Sequence, residues 1–550
     1  MPRNRLAIPT LLSLLLALSS CSAPENDTTS AREQDRESSP RQLSEGGRAE
    51  FDADVAPVAP TKEEHGRGEK PANFNGDVRS IRSTTPKKVL RREIKLPSPI
   101  PLGSGKPDPL AAAVAPVTAT ASAIGVSSFD GLDFTNWGSG WPPDTTGDVG
   151  PSHYIQGVNG SIGIWDKTTK VRVAAFTLNA FFNAAGASGV CSTSNNGDPT
   201  VVYDSVSGRW IVADFAWTSS AGPYYECIAV SKSADPIAGG WWVYSFEASK
   251  TDMNDYPKMS VWGDGIYMTA NMFKGGSTFT GAKVWALNRD DLISGTAPRF
   301  VSFQTSSSYN GLLAANARVS AVPAGTPQYL VSLGTSTTLR VWRMSVNWST
   351  LTASTLTGPT SVTVPSYTRA GTVTQPTGDR LDALSDRLMN RVQYTANGTP
   401  SLWITHSVSS SSYAAPRWYQ VNVSSATPTL GQSGTYQPTT VTSRWMGSIA
   451  VDKVGNAAVA YSKTSKTIFP GLSFAGRSAT AAAGTFDMAE QSLVAGAGAQ
   501  KGGYNRWGDY SDLDVDPVDG CTFWFTSEYY STTGQAWKTR IGSFKMAGCI

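Results

Sequence analysis

Carboxylates and guanidiniums recur in this chain at a nearly constant phase. Asp144 and Asp148, Asp198 and Asp255 come first; Arg318, Arg387 or Arg391, Arg444 and Arg506 follow, with Asp509 just behind the last. Tyr256 sits next to Asp255, and Tyr510 next to Asp509. Brought to one place, Asp and Tyr side chains would serve as acid and base, and Arg would clamp an anionic or hydroxyl-rich ligand. The same groups would equally pair with one another, because Arg–carboxylate contacts are bidentate and fix register with little net stabilisation. Asp144, Asp198, Asp255, Tyr256, Asp509 and Tyr510 are therefore the candidate catalytic residues. Arg318, Arg387, Arg391, Arg444 and Arg506 are the candidate ligand-binding residues. Trp445 and Trp507 are candidate stacking surfaces for sugar rings, beside Trp137, Trp141 and Trp217.

Other chemistries are poorly supplied. The histidines are His65, His153 and His406, and no G-x-S-x-G phrase accompanies them, so neither a His-rich metal site nor a serine-hydrolase elbow is expected. No P-loop or dinucleotide fingerprint stands in a strand–helix context. No cofactor is expected; the sole cation site suggested is Ca²⁺ at Asp512, Asp514 and Asp516, which share one face of an extended segment. A net charge of +3 on 550 residues is too small to argue for a nucleic-acid partner, and a monomer is expected.

What would bring the polar groups together is a repeat. NRWGDYSDLDVDPVDGCTFWFTSE (505–528) and SRWMGSIAVDKVGNAAVAYS (443–462) share a plan: an alternating apolar run, an Asp, a Gly-bearing turn and a second run. Further copies stand at 142–159, 197–217, 255–273, 316–334 and 389–407. Between copies there is room for two more strands, as in YYECIAVS and GWWVYSFEA. Charged residues make up only 16% of the chain against roughly 25% in average globular proteins. Short Val/Tyr/Trp/Thr runs are punctuated throughout by Gly, Asp, Asn and Pro. The pattern predicts an all-β, seven-bladed β-propeller with four-stranded blades. The last unit offers only three strands, so SSFDGLDFTNW (127–137) is expected to supply the fourth and close the ring. Asp204, Asp264, Asp452 and Asp516 fall at the turns between first and second strands, where Asp bonds its own backbone.

The N-terminus adds an address. MPRNR is cationic, LAIPTLLSLLLALSS is apolar but short for a bilayer, and Leu18-Ser19-Ser20-Cys21 follows. This stretch resembles the lipobox of bacterial lipoproteins. That resemblance implies cleavage before Cys21, acylation of its thiol and amino group, and anchoring to a lipid bilayer. With Ser22 rather than Asp next, it further implies the outer membrane or cell surface in a two-membrane source. Export puts Cys191, Cys227, Cys521 and Cys549 in an oxidising space. Three pairings are open, and Cys191–Cys227 with Cys521–Cys549 is favoured because each closes a short loop. The expected organisation is a signal peptide over 1–20, a disordered, lipid-anchored linker over 21–121 and the propeller over 122–550.

Taken together, PPDTTGDVGPSHYIQGVN, NNGDPTVVYDSVSGRW, CIAVSKSADP, DYPKMSVWGDGIYMTANMF and NRWGDYSDLDVDPVDGCTFWFTSEYY resemble a family of secreted bacterial propeller proteins of no established activity. A looser similarity is to sialidases, which would cast Arg318, Arg444 and Arg506 as an arginine triad, Tyr510 as nucleophile and Asp144 as its acidic partner. That family has six blades, and its S-x-D-x-G-x-x-W turn has no clean counterpart here. Two functions follow as expectations: a surface module binding polysaccharide or a protein partner at the channel mouth, or a glycoside hydrolase or polysaccharide lyase using Asp/Tyr acid–base chemistry with Arg clamps.

Overall fold

In the computed structural model, residues 59–90, 94–111 and 119–550 are described. The leader and Cys21 lie outside the described residues. Every copy of the repeated phrase folds as an antiparallel strand pair. Thr146–Val149 pairs with His153–Val158, Gly197–Asp204 with Arg209–Ala216, and Asp252–Val261 with Gly265–Lys274. Leu313–Ala317 pairs with Gln328–Leu333, Met389–Thr395 with Ser401–Ser410, Ser443–Val451 with Ala457–Thr464, and Asp512–Val515 with Thr522–Tyr529. The turn aspartates behave as their chemistry dictates. Asp204 Oδ1 accepts from the Val206 and Ser207 amides at 2.9 and 3.3 Å. Asp452 Oδ1 accepts from Val454 and Asn456, and Asp516 Oδ1 from Val518, at 2.9–3.0 Å. Asp264 differs, accepting the Tyr267 hydroxyl at 2.9 Å.

Two further strands extend each pair; among the described residues two sheets carry a fifth strand, and two of the four-stranded units join in one eight-stranded sheet. In the last sheet the outermost place goes to Ala123–Asp133, which pairs antiparallel with Lys538–Met546. The N-terminal edge of the domain thus closes the C-terminal sheet, as the short final repeat required.

The inner strands splay as the sheets fan out, so their outward N–H and C=O groups cannot all find a neighbouring strand. Polar side chains bridge the gaps. The Asp512 carboxylate accepts from Thr146 Oγ1 at 2.7 Å, and Asp148 accepts from the Tyr203 amide at 2.7 Å. Thr200 donates to Pro257 O at 3.1 Å, and Asn316 accepts from the Val261 amide at 2.9 Å. Leu313–Ala317 and Met389–Thr395 pair directly in parallel. Gln393 then accepts from the Val451 amide at 2.8 Å, and Ser448 from the Leu513 amide at 3.0 Å, which returns the circuit to Asp512. The result is an all-β, propeller-like ring whose inner wall is stitched by side chains.

Apolar layers fill the wedges between neighbouring sheets. Val202, Ile211 and Ile228 pack against Met259, Met268 and Trp285, and Phe474 stacks on Phe544 with centroids 3.7 Å apart. Both favoured disulfides are present, Cys191–Cys227 and Cys521–Cys549. Among the described residues no helix is long and apolar enough to cross a membrane.

The expectation of a disordered linker over 21–121 does not hold for its described part. Lys62–Arg67 adds a strand outside Arg299–Gln304, and Ala72–Phe74 another outside Trp241–Ser249. Asp108 is fully buried and ion-paired with Arg417. The first strand is exposed on both faces, so its sequence carries no apolar alternation to read. Its order comes from completing an open sheet edge, which is a backbone property.

Candidate functional site

Four of the residues singled out by type share a backbone conformation, and Met446 joins them. Asp144, Asp198, Tyr256, Met446 and Asp509 all have positive φ, between 49° and 58°, at the start of an inner strand or within it. Register breaks between Gly197 and Thr200, Asp255 and Lys258, and Trp445 and Ser448 mark the same point as a bulge. Side chains other than Gly and Asn/Asp avoid this region, at a cost of about 1–3 kcal/mol each. At Asp198 and Tyr256 the bulge re-aims a side chain toward the mouth of the ring.

Those side chains meet around a recess of about 180 Å³. Asp144, Asp198, Asp255 and Asp509 line it, with Arg387 and Arg506 at the same level and Phe215, Trp217 and Tyr256 as aromatic wall. The Tyr256 amide donates to Asp198 Oδ2 at 3.1 Å, and the Asp198 amide donates to Asn159 Oδ1 at 2.8 Å. Tyr256 also reaches across the ring, its hydroxyl donating to Asp509 O at 3.4 Å. Arg506 is bound to Asp509 and lies 3.2 Å from Asp382, while Arg387 holds Asp386 at 2.9 Å.

Burial is the main force on the Asp144 carboxyl, and the neighbouring Asp509 and Asp198 add to it. Together they push its pKa well above the ordinary carboxylate range, against the pull of Arg506. The Asp144 and Asp198 carboxyls lie within hydrogen-bonding reach of each other. Asp144 Oδ1 and Asp509 Oδ1 are buried and make no hydrogen bond. Tyr510 lies beneath the recess, fully buried, donating to Pro199 O at 3.1 Å and packed edge-on against Tyr256. Its burial pushes the phenol pKa well up, so it stays neutral rather than acting as a base.

Two features went unread in the sequence. Lys258 Nζ lies between the rings of Tyr510 and Tyr256, 3.5 and 3.8 Å from their centroids. Burial lowers its pKa to about 8, while Asp198, Asp144, Asp509 and Asp255 oppose that fall. The signal was a lysine inside an inner strand, where a charged side chain is buried only with partners. The second is Ile94, which lines the recess from a segment expected to be linker.

Several expected site residues lie elsewhere. Arg318 and Arg391 fill the middle of the ring instead of its mouth. Arg318 Nη2 is 2.8 Å from Asp148 Oδ1, and Arg391 Nη2 is 2.9 and 3.0 Å from Asp512 and Asp514. Burial raises Asp148 and Asp512 to about 7 even against these guanidiniums. Arg444 pairs with Glu490, which also takes Lys463 and the Tyr461 hydroxyl. Trp445 and Trp507 are fully buried against each other, centroids 5.5 Å apart, and present no platform to a ligand. The arginine triad implied by the sialidase resemblance is therefore not assembled: Arg318, Arg444 and Arg506 each serve a different carboxylate. Among the described residues no group of three or more His, Cys, Asp or Glu is arranged to hold a metal ion. A larger hollow of about 840 Å³ lies beside Trp418, Tyr436 and Phe486. Its one carboxylate, Asp487, is taken up by the Ser478 amide and hydroxyl at 2.7 and 2.6 Å.

No protein-family model and no curated protein matches the chain. Among solved structures it is similar to the WD40 domain of SCAP from fission yeast, at 10% identity, covering 73% of this chain and 82% of that one with a TM-score of 0.33. An exo-β-1,3-galactanase from Clostridium thermocellum matches at 9% identity over 73% and 91%, TM-score 0.29. An exo-β-1,3-galactanase from Phanerochaete chrysosporium with galactose matches at 10% over 77% and 99%, TM-score 0.29. These neighbours are propeller-like proteins, and the likeness extends to chain trace alone.

Proposed function

We propose that this chain is an exported seven-bladed propeller that holds the end of a carbohydrate chain in the recess at its channel mouth, without cutting it. The carrying observation is the recess itself: positive-φ backbone turns Asp144, Asp198, Tyr256 and Asp509 from separate repeats into one small polar hollow with Trp217 beside it. Carboxylates and guanidiniums accept from and donate to hydroxyl groups, and an aromatic wall suits the apolar face of a sugar ring. At about 180 Å³ the recess falls below the roughly 300–1,000 Å³ of drug-sized pockets, which favours one terminal ring over an extended chain. The blade count rests on the repeat spacing and the side-chain circuit between inner strands. Two disulfides fit an oxidising compartment, and anchoring through an acylated Cys21 is part of the same proposal.

Binding is preferred over hydrolysis for a geometric reason. Glycosidases hold their two carboxyl groups roughly 5–9.5 Å apart. Asp144 and Asp198 are within hydrogen-bonding reach, Asp509 is taken by Arg506, and Tyr510 is sealed beneath the floor. The test is a glycan array probed with the full chain and with Trp217→Ala and Asp255→Ala. A set of glycans retained by the wild type and weakened at least about tenfold, or 1.4 kcal/mol, in both folded variants is expected. Binding unchanged in both variants would discard the recess, and release of reducing ends by wild type alone would replace binding with hydrolysis.

A further inference from the structure

The recess states a preference about its ligand that goes beyond a bare carbohydrate. Asp144 Oδ1 and Asp509 Oδ1 both lack a hydrogen bond, although their residues are only 2% and 8% exposed. Both residues line the same hollow. A buried carboxylate oxygen without a donor is costly, and two of them on residues that line one cavity point to donors that arrive with a ligand.

Charge narrows the class of donor. The guanidiniums at the recess already carry carboxylates: Arg506 holds Asp509 and Asp382, and Arg387 holds Asp386. Lys258 is the remaining nearby cation, and its ammonium is enclosed by tyrosine rings and donates to Pro257 O at 2.9 Å. Even with Asp144 counted as neutral, Asp198, Asp255, Asp509, Asp382 and Asp386 stand against Arg387, Arg506 and Lys258, and a bound ammonium would favour ionised Asp144. A neutral hydroxyl would satisfy the orphan oxygens without relieving that excess, whereas an ammonium does both. The aromatic wall of Trp217 and Tyr256 also suits a cation, because the face of each ring is electron-rich. A bare metal ion is a poorer match, since the described acidic groups do not converge in a metal-holding cluster.

Resting on the carbohydrate reading, we infer that the terminal ring bound here bears a protonated primary amine, so that the ligand is an amino sugar with its nitrogen unacetylated, directed at Asp144 and Asp509. Acetylation would remove the charge and add bulk in a hollow with room for little more than one ring.

Titration calorimetry of the full chain near pH 6.5 separates this inference from the reading beneath it. The probes are a glucosamine tetramer, the N-acetylglucosamine tetramer, a neutral glucose tetramer of the same linkage, and propylammonium as a sugar-free amine. The expected result is at least tenfold tighter binding of the glucosamine tetramer than of either other sugar, with propylammonium weaker still. Asp144→Asn and Asp509→Asn should each erase most of that preference, since Asn keeps the shape and tolerates the positive φ while removing the charge. Equal or tighter binding of the acetylated or neutral tetramer overturns the amine and leaves the carbohydrate reading standing. Propylammonium binding as tightly as the amino sugar keeps the amine and discards the sugar. A preference that survives both Asn variants, or no binding by any probe, overturns the inference.

Discussion

The guanidinium of Arg391 and the carboxylate of Asp512, 121 residues apart in the chain, meet in the middle of the ring with Nη2 2.9 Å from Oδ2. The contact joins the inner strands of the fifth and seventh repeats. It lies deeper than the recess and shares no residue with it. Two polar systems therefore occupy the axis. Arg391, Arg318, Asp148, Asp512 and Asp514 hold the strands together, and Asp144, Asp198, Asp255 and Asp509 face the opening.

That division predicts that an axial ion pair can be broken at a cost in stability alone. Arg391→Met leaves Asp512 and Asp514 buried without their counter-ion, and loss of one partner of a buried pair costs about 3–5 kcal/mol. Urea denaturation should show the loss, while the folded fraction keeps whatever glycan binding the wild type has.

Asp144 should make stability depend on pH in an unusual direction. Its folded pKa is raised above the unfolded value of 3.8, so the native state binds the proton more tightly. The associated stability is complete below about pH 4 and declines as pH rises toward the folded value. Asp144→Asn removes this component. Denaturation midpoints from pH 5 to pH 8 should fall more steeply for wild type than for the variant, and parallel curves would refute the assignment.

The segment before the ring should behave as part of the fold. Asp108 pairs with Arg417 where both side chains are 0% exposed, and it also accepts the Thr435 hydroxyl at 2.9 Å. Asp108→Ala strands a buried guanidinium and should cost about 3–5 kcal/mol. A chain beginning at residue 122 should likewise melt below the full chain, whereas equal melting temperatures would return this stretch to the status of spacer.

Cys521–Cys549 closes a loop with a sequence separation of 28 and fastens the C-terminal end beside the last sheet. On the chain-entropy account, loops of this size contribute about 3–4 kcal/mol. Cys549→Ser should lower the guanidinium midpoint accordingly, and reductant should shift wild type toward the variant while leaving the variant itself less affected.

The repeat was legible because its cause is local. Alternating apolar runs and Asp–Gly turns dictate strand pairs, so the paired strands and the turn role of Asp204, Asp452 and Asp516 could be read from the chain. So could a closing N-terminal strand, expected over 127–137 and found four residues earlier at Ala123–Asp133. Both disulfides followed from short sequence separation. Even the recess was half visible: Asp144, Asp198, Asp255, Tyr256, Arg387, Arg506 and Asp509 were named from type and phase, and all line it.

Depth along the axis was not legible. Asp144 and Asp148 stand four residues apart, yet one lines the recess while the other pairs with Arg318 in the middle of the ring. Arg387 and Arg391 part in the same way. Which of each pair reaches the mouth depends on bulges, strand tilt and the facing sheets, none of which is encoded within one repeat. The burial of Trp445 against Trp507, and the recruitment of Lys62–Arg67 and Ala72–Phe74 to open edges, depend likewise on surfaces that exist only after the ring has closed. Sequence specifies what each strand can offer through short-range sterics and hydrogen bonding. Tertiary structure decides which offers are spent on one another and which are left facing solvent, because desolvation and pairing are properties of the assembled axis.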